Sequence, residues 1–295
     1  MLGNIVAQIK TGAKRGIGCV VDALGGRTDL RGARCLMYHS IVERPVDDPA
    51  QMATPLELFV EQMEFLADNG YEVATASDLV RRLRRGVLTP SKSVAITFDD
   101  GFVDNYELAV PILEKYRFPA TVFLISSLLN GRRKATVYPW SRGYLRIGQA
   151  REMKASGLIQ FGCHSATHPN LRGLPREVLQ EETLHAKHRL EDDLDCSIEL
   201  FAYPFGTYGT WDQKVLEAVD SAGFEGAFTT IFGINTPETS RLLLKRSRIS
   251  WCDQLQDFGR ILRGAYDWYA HIQRFQRPTV VDLLSAPSPY VNRDV

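Results

Sequence analysis

The stretch ITFDDGF, residues 96–102, ends an apolar run with two adjacent carboxylates, Asp99 and Asp100, ahead of a glycine. Neighbouring acids at the edge of an apolar interior raise each other's pKa unless a cation lies beside them. A metal ion would relieve the conflict, and so would a sugar-facing cleft in which one acid stays protonated. A lone Asp-Asp pair serves equally well as a loop cap, one carboxylate capping the next helix and the other meeting water. A second segment weighs against that bland role. HSATH, residues 164–168, sets His164 and His168 four residues apart, a spacing that lets two imidazoles face one point on a helical turn or in a tight loop. Two histidines and one carboxylate make a metal-binding triad with open coordination positions. His39 in CLMYHS and the run Tyr203-Pro204-Phe205-Gly206 also follow apolar runs directly. His185 and His188, by contrast, lie within a charged helical pattern and read as a solvated face.

The elements that must position these residues alternate along the chain. Apolar, β-rich runs occur at 34–38, 93–98, 120–125, 158–163, 198–203 and 224–230. Helical patterns separate them, including SDLVRRLRRG, the stretch 103–116, PREVLQEETLHAKHRLEDDL and WDQKVLEAVDSAG. Another, TPLELFVEQMEFLADNG, carries Thr54 as a predicted N-cap, Pro55 at the first helical position, Glu57 completing a capping box and Gly70 as a stop. Strands alternating with helices imply a parallel sheet, and near-continuous apolar runs imply strands buried on both faces. No glycine-rich dinucleotide fingerprint follows the first run, so a closed or nearly closed (β/α) barrel is the expected fold. All strand ends of such a barrel meet at one rim, where active sites are built. His39, the Asp99-Asp100 pair, His164 and the 203–206 run would therefore converge.

Bulk composition narrows the partners. The chain has 295 residues, 44% hydrophobic and 24% charged, with 35 basic against 35 acidic side chains. That neutrality gives no support for nucleic-acid binding, which favours a basic excess. Five cysteines without short paired spacing read as reduced thiols rather than a disulfide framework. The first residues show neither a spanning apolar stretch nor a secretion-signal pattern, so a cytoplasmic protein, or one at the inner membrane face, is expected. Leu2, Ile5, Val6, Ile9, Ala13, Ile17, Val20, Val21 and Leu24 share one helical face, with Lys14 and Arg15 elsewhere. Such a face packs on the protein's own core or gives residues 1–24 a peripheral membrane contact. The expected organisation is an N-terminal extension over 1–33, one barrel domain over 34–263 and a C-terminal extension over 264–295.

TFDDGF, HSATH and AYPFG together resemble the polysaccharide deacetylases of carbohydrate esterase family four, over roughly residues 34–250. The resemblance implies a distorted (β/α)7 barrel and a divalent metal, zinc foremost, with cobalt and nickel as alternatives. It implies hydrolysis of an N-acetyl group on an amino sugar within an oligosaccharide, polysaccharide or lipid-linked glycan precursor. By motif matching, Asp100, His164 and His168 hold the metal and Asp99 is the general base. Tyr203, Pro204 and Phe205 would form the substrate and oxyanion side, with the backbone N–H of Phe205 as donor.

Two departures from the family pattern matter. The arginine usual just before the proline-aromatic-glycine motif is replaced by Phe201 and Ala202, so Arg246 or Arg248 must steady the base instead. The usual late leucine-x-x-histidine is also missing, and a CLMYHS strand comes first, which resembles the circularly permuted branch that includes poly-β-1,6-N-acetylglucosamine deacetylases. His39 then becomes the candidate general acid, because a departing sugar amine needs a proton. A glycosidase using both aspartates is the weaker alternative, since consecutive strand residues point to opposite faces. A deformylase acting on a lipid-linked amino sugar needs the same apparatus. A non-catalytic carbohydrate-binding relic would have lost ligands or base; none is lost, and the missing motif arginine is what speaks for it.

Overall fold

The apolar runs become strands because each is covered on both faces. The computed structural model describes residues 12, 15–23, 32–46, 48, 51–87, 90, 92–131, 141–250 and 252–275. In chain order these hold β1 (Ala33–Tyr38), β2 (Ser40–Val42), β3 (Ala53–Pro55), β4 (Glu72–Ala74), β5 (Ser93–Phe98), β6 (Ala120–Leu124), β7 (Ile159–Cys163), β8 (Leu200–Ala202), β9 (Gly226–Phe228) and β10 (Ser247–Arg248). The helices are α1 (Leu56–Asp68), α2 (Ala76–Arg84), α3 (Val110–Tyr116), α4 (Ile147–Ala155), α5 (Arg176–Gln180), α6 (Ala186–Leu194), α7 (Gln213–Ser221), α8 (Leu255–Leu262) and α9 (Tyr269–Gln273). Two π-helical turns, Asn105–Ala109 and Glu181–His185, lead into α3 and α6.

The main sheet runs β10-β1-β5-β6-β7-β8-β9, every pairing parallel, with β4 lying along the first half of β5. Leu244 bridges Phe228 of β9, and Ser247 and Arg248 pair with Leu36 and Met37 of β1. The chain from 244 to 248 thus joins the last strand to the first and closes the distorted barrel expected from the alternation of elements. Alternate strand positions separate two cores. Cys35, Ala95, Phe123, Ala202, Phe228 and Leu244 face inward with Leu79 and Val80 of α2. Leu36, Ile96, Phe98, Val122 and Phe161 face outward onto Phe59, Met63 and Leu66 of α1 and Leu113 of α3.

One local expectation fails. Thr54 does not cap α1: it lies in β3, paired with Ile41, and Pro55 occupies the cap position without a side-chain bond. Pairing with β2 fixes residues 53–55 as extended backbone, and the buried Thr54 hydroxyl finds no partner, so the capping box with Glu57 does not form. Gly70 does end the segment, in the left-handed region at φ +65°.

Residues 15–23 are helical and dock on α8. Arg15 pairs with Asp257 at 2.7 Å, and Asp22 accepts two bonds from Arg263 at 2.9 and 2.7 Å. Gly18 lies flat on the Tyr266 ring, where any β-carbon would overlap it. Ile17 and Val20 remain 46% and 59% exposed. The rest of the expected amphipathic face, from Leu2 to Ala13 and at Leu24, and the C-terminal extension beyond 275 lie outside the described residues. No helix among the described residues is long and apolar enough to cross a membrane.

Candidate active site and metal centre

Along β5 the inward positions are Ala95 and Thr97, and the next in phase is Asp99. Asp99 thereby reaches the barrel axis, 2% exposed. There it meets Arg246, fully buried, through a two-pronged ion pair: Nη1 to Oδ1 at 2.6 Å and Nη2 to Oδ2 at 2.7 Å. The same guanidinium donates from Nε to the Thr229 carbonyl at 3.0 Å and from Nη1 to Thr97 Oγ1 at 3.3 Å. Its carbon stands 5.3 Å from the Phe123 ring centre and 6.0 Å from that of Phe228, so apolar faces brace it. Burial opposes ionisation of Asp99, but Arg246 and His164 outweigh it and bring the carboxyl down to about 2. Of the two candidate arginines, Arg246 is the one that pairs with Asp99. The Arg248 guanidinium reaches the Gln51 carbonyl at 3.2 Å instead.

The same alternation would turn Asp100 away from Asp99, and it does not. Asp100 adopts φ +72°, in the left-handed region, and Gly101 follows at φ +74°. The reversal brings both carboxylates to one imidazole: His164 Nε2 lies 4.0 Å from Asp99 Oδ2 and 3.5 Å from Asp100 Oδ1. His168 Nε2 is 3.7 Å from the same Asp100 oxygen. One ligand atom from each of Asp100, His164 and His168 falls within 4.8 Å of the others.

The donor set fits a divalent metal. Asp100 Oδ1 is buried without a hydrogen-bond partner although two imidazole nitrogens face it. Ligand atoms ~2.1 Å from a tetrahedral zinc stand ~3.4 Å apart, close to the 3.5 and 3.7 Å from Asp100 Oδ1 to the two imidazoles. His164 Nδ1 lies 2.8 Å from the Ala202 carbonyl, so this nitrogen carries the proton and Nε2 presents its lone pair. Burial lowers the pKa of His164, and burial with the neighbouring His164 lowers that of His168 further, which keeps both rings neutral as ligands must be. Burial and the charge of Asp99 push Asp100 well above the usual carboxylate range, the penalty a bound cation would reverse.

HSATH is a tight loop, not a helical turn. Ser165 and His168 take φ +66° and +60°, and the His168 N–H donates to Ser165 Oγ at 2.8 Å. Glu182, buried in the second π-helical turn, holds this loop. Its Oε2 accepts from the N–H groups of Ala166 and Thr167 at 2.9 and 2.8 Å, and Oε1 accepts from the Thr167 hydroxyl at 2.6 Å. Sequence reasoning missed Glu182, which is one acid among several on a charged helical stretch. His185 and His188 are exposed as expected, His185 paired with Glu181 at 2.8 Å.

His39 sits half-buried between β1 and β2. The Asp99 N–H donates to the carbonyl of its neighbour Tyr38 at 3.0 Å, so His39 and Asp99 share the rim. Loss of water around the ring, only partly offset by Asp99, pushes His39 down to about 3. Phe205, at φ +61°, places its ring 4.9 Å from that of His168. The Tyr203 side chain is buried in the outer core. The ring packs against Phe201 and Trp211, and the hydroxyl donates to the Leu242 carbonyl at 3.0 Å. Position 203 is outward-facing on β8's line, which commits it to the outer core.

Sequence and fold comparisons agree with this geometry. The polysaccharide deacetylase family profile matches residues 86–227. A Staphylococcus epidermidis poly-β-1,6-N-acetyl-D-glucosamine N-deacetylase is 26% identical over 203 residues, 65% of this chain and 66% of that protein. The structure of the Streptococcus pyogenes deacetylase PplD with acetate superposes with a TM-score of 0.68 at 27% identity, covering 78% of this chain and 98% of that one. Bacillus subtilis YxkH, described as a polysaccharide deacetylase, is 30% identical over 215 residues, 73% of this chain and 70% of its own length. On that breadth of likeness, and with the two acids and two histidines gathered at one rim, the chain belongs to the polysaccharide deacetylase family.

Proposed function

We propose that this enzyme removes the N-acetyl group from an amino sugar within a glycan, with Asp99 as general base, His39 as general acid and Asp100, His164 and His168 as metal ligands. The observation that carries the reading is the buried Asp99 carboxylate, clamped by Arg246 and placed beside the three-ligand cluster. A carboxylate held near 2 is a weak base. It suffices only if the water it deprotonates is acidified. Asp100, His164 and His168 would hold a divalent metal, zinc foremost, which would supply that acidification and polarise the acetyl carbonyl.

The protein's own groups do the rest. Asp99 takes the proton from the attacking water, and Arg246 keeps it ionised and aimed. His39 is neutral at rest, and the proton that Asp99 takes from the water returns through His39 to the sugar nitrogen as the C–N bond breaks. One water is consumed, and acetate and a free amine leave. Phe205, left-handed at φ +61° with its ring 4.9 Å from that of His168, supports an oxyanion-side role. The exposed Ile17 and Val20 support a peripheral membrane contact.

The test is product analysis with zinc-loaded enzyme on β-1,6- and β-1,4-linked N-acetylglucosamine oligomers and N-formyl amino sugars. Release of acetate with a new amine and no new reducing end is expected. Release of formate alone would assign a deformylase, and a new reducing end would overturn the amide reading.

A further inference from the structure

The proposed mechanism needs His39 held at a defined distance from Asp99, yet His39 lies on a single residue between two strands. The structure shows what holds that residue. Asn105 Nδ2 donates to the His39 carbonyl at 2.8 Å. Asp104 accepts from Ser40 Oγ at 2.6 Å and from the Ile41 N–H at 2.9 Å. The two side chains are themselves linked, Asn105 Nδ2 to Asp104 Oδ1 at 3.1 Å. Asp104, Asn105 and Ile41 are each 1% exposed and Ser40 is fully buried. Two consecutive side chains thus take polar groups from three consecutive residues, His39 to Ile41, across 63 to 66 positions of chain.

These two residues also begin the loop-to-helix turn that follows the Asp99-Asp100 pair. Asn105 opens the π-helical turn Asn105–Ala109, a distortion that concentrates at functional sites. One short segment therefore bears the base and the metal-ligand carboxylate and, five residues on, the groups that hold the acid.

We propose that Asp104 and Asn105 are positioning residues that fix His39 relative to Asp99, so that the proton needed by the departing amine is delivered along a preset path. The proposal rests on the assignment of His39 as general acid, and its effect runs through His39 alone. The step it governs is N-protonation at C–N cleavage. It leaves metal binding and water attack untouched.

The experiment is a double-mutant cycle on full-length, zinc-loaded enzyme with two substrates: an N-acetyl amino-sugar oligomer, and p-nitrophenyl acetate, whose leaving group needs no proton. Asn105→Ala is expected to lower kcat on the amide about tenfold, with KM, zinc stoichiometry and ester rate within about twofold of wild type. His39→Ala is expected to lower amide kcat about a hundredfold or more. Adding Asn105→Ala to His39→Ala is expected to change amide kcat by less than about twofold, since residues acting through one group are not additive. If Asn105→Ala does not fold, Asn105→Asp, which sets an oxygen against the His39 carbonyl at equal size, is read in its place. Equal losses from the Asn105 change with and without His39, or parallel losses on amide and ester, would overturn the positioning role while leaving the acid assignment standing. An unselective His39→Ala would instead show that the acid assignment has failed, and the seat with it.

Discussion

Arg246 and Asp99 meet through two hydrogen bonds of 2.6 and 2.7 Å across 147 positions of chain, both side chains shielded from water. Removing one partner of such a pair strands a buried charge and costs about 3–5 kcal/mol. Arg246→Met should lose about that much in denaturant unfolding and lose nearly all turnover. Arg246→Lys keeps the charge but not the fork, so kcat should fall on the order of tenfold or more with a smaller stability loss. Wild-type turnover in Arg246→Lys would show that Asp99 needs charge compensation and no orientation.

Asp99 and Asp100 should separate cleanly by metal content. Asp99→Asn is expected to retain about one zinc per chain by elemental analysis and lose about 10²–10⁴ in kcat, the usual worth of a general base. Asp100→Asn and His164→Ala should lose the metal, and their melting temperature should no longer rise with added zinc. Zinc lost from Asp99→Asn but kept by Asp100→Asn would reverse the two roles.

Glu182 holds three donors of the HSATH loop, so its removal should act on the metal through His168. Glu182→Gln turns one oxygen into a donor facing donors. Zinc affinity should weaken about 10–100-fold, as for other groups that orient ligands. Competition with a chromogenic chelator measures it, and unchanged affinity would make Glu182 a purely structural residue.

Burial pushes the Asp104 carboxyl from 3.8 up to about 7, against the lowering pull of its bonds from Ser40 and Ile41. Between those values the folded chain holds a proton that the unfolded chain has released. The unfolded state then binds fewer protons, so this group makes stability fall as pH rises from about 4 to 7. Asp104→Asn should flatten that slope in melting temperature, and equal slopes in both proteins would contradict it. Asp99 titrates the other way. Its lowered pKa contributes stability that is present above 3.8 and lost as pH falls through about 2.

If residues 15–23 present Ile17 and Val20 to a membrane, Ile17→Ser with Val20→Ser should reduce co-sedimentation with anionic vesicles and leave the melting temperature unchanged, since both side chains are exposed. Equal sedimentation of variant and wild type would rule out the contact.

The six core strands and the rim they share were legible in the sequence, whereas β2, β3 and β4 were not. Runs such as SVAITF and ATVFL are nearly continuous in apolar and β-branched residues, and that pattern belongs to one segment, readable without its neighbours. TFDDGF and HSATH could be read as metal-site segments for the same reason: the needed residues are close in the chain. Tertiary structure decided what depends on pairing between distant segments. Thr54 reads as a cap until β2 claims it as a strand residue. Arg246 and Arg248 read alike in sequence, and only the packing of distant segments shows that Arg246 meets Asp99 while Arg248 meets the Gln51 carbonyl. Asp104 and Asn105 interrupt an apolar stretch, FVDNYELAV, which was the available signal, but their partners lie more than sixty residues upstream. Glu182 carried no signal, because a buried acid and a solvated one are the same letter until packing removes the water.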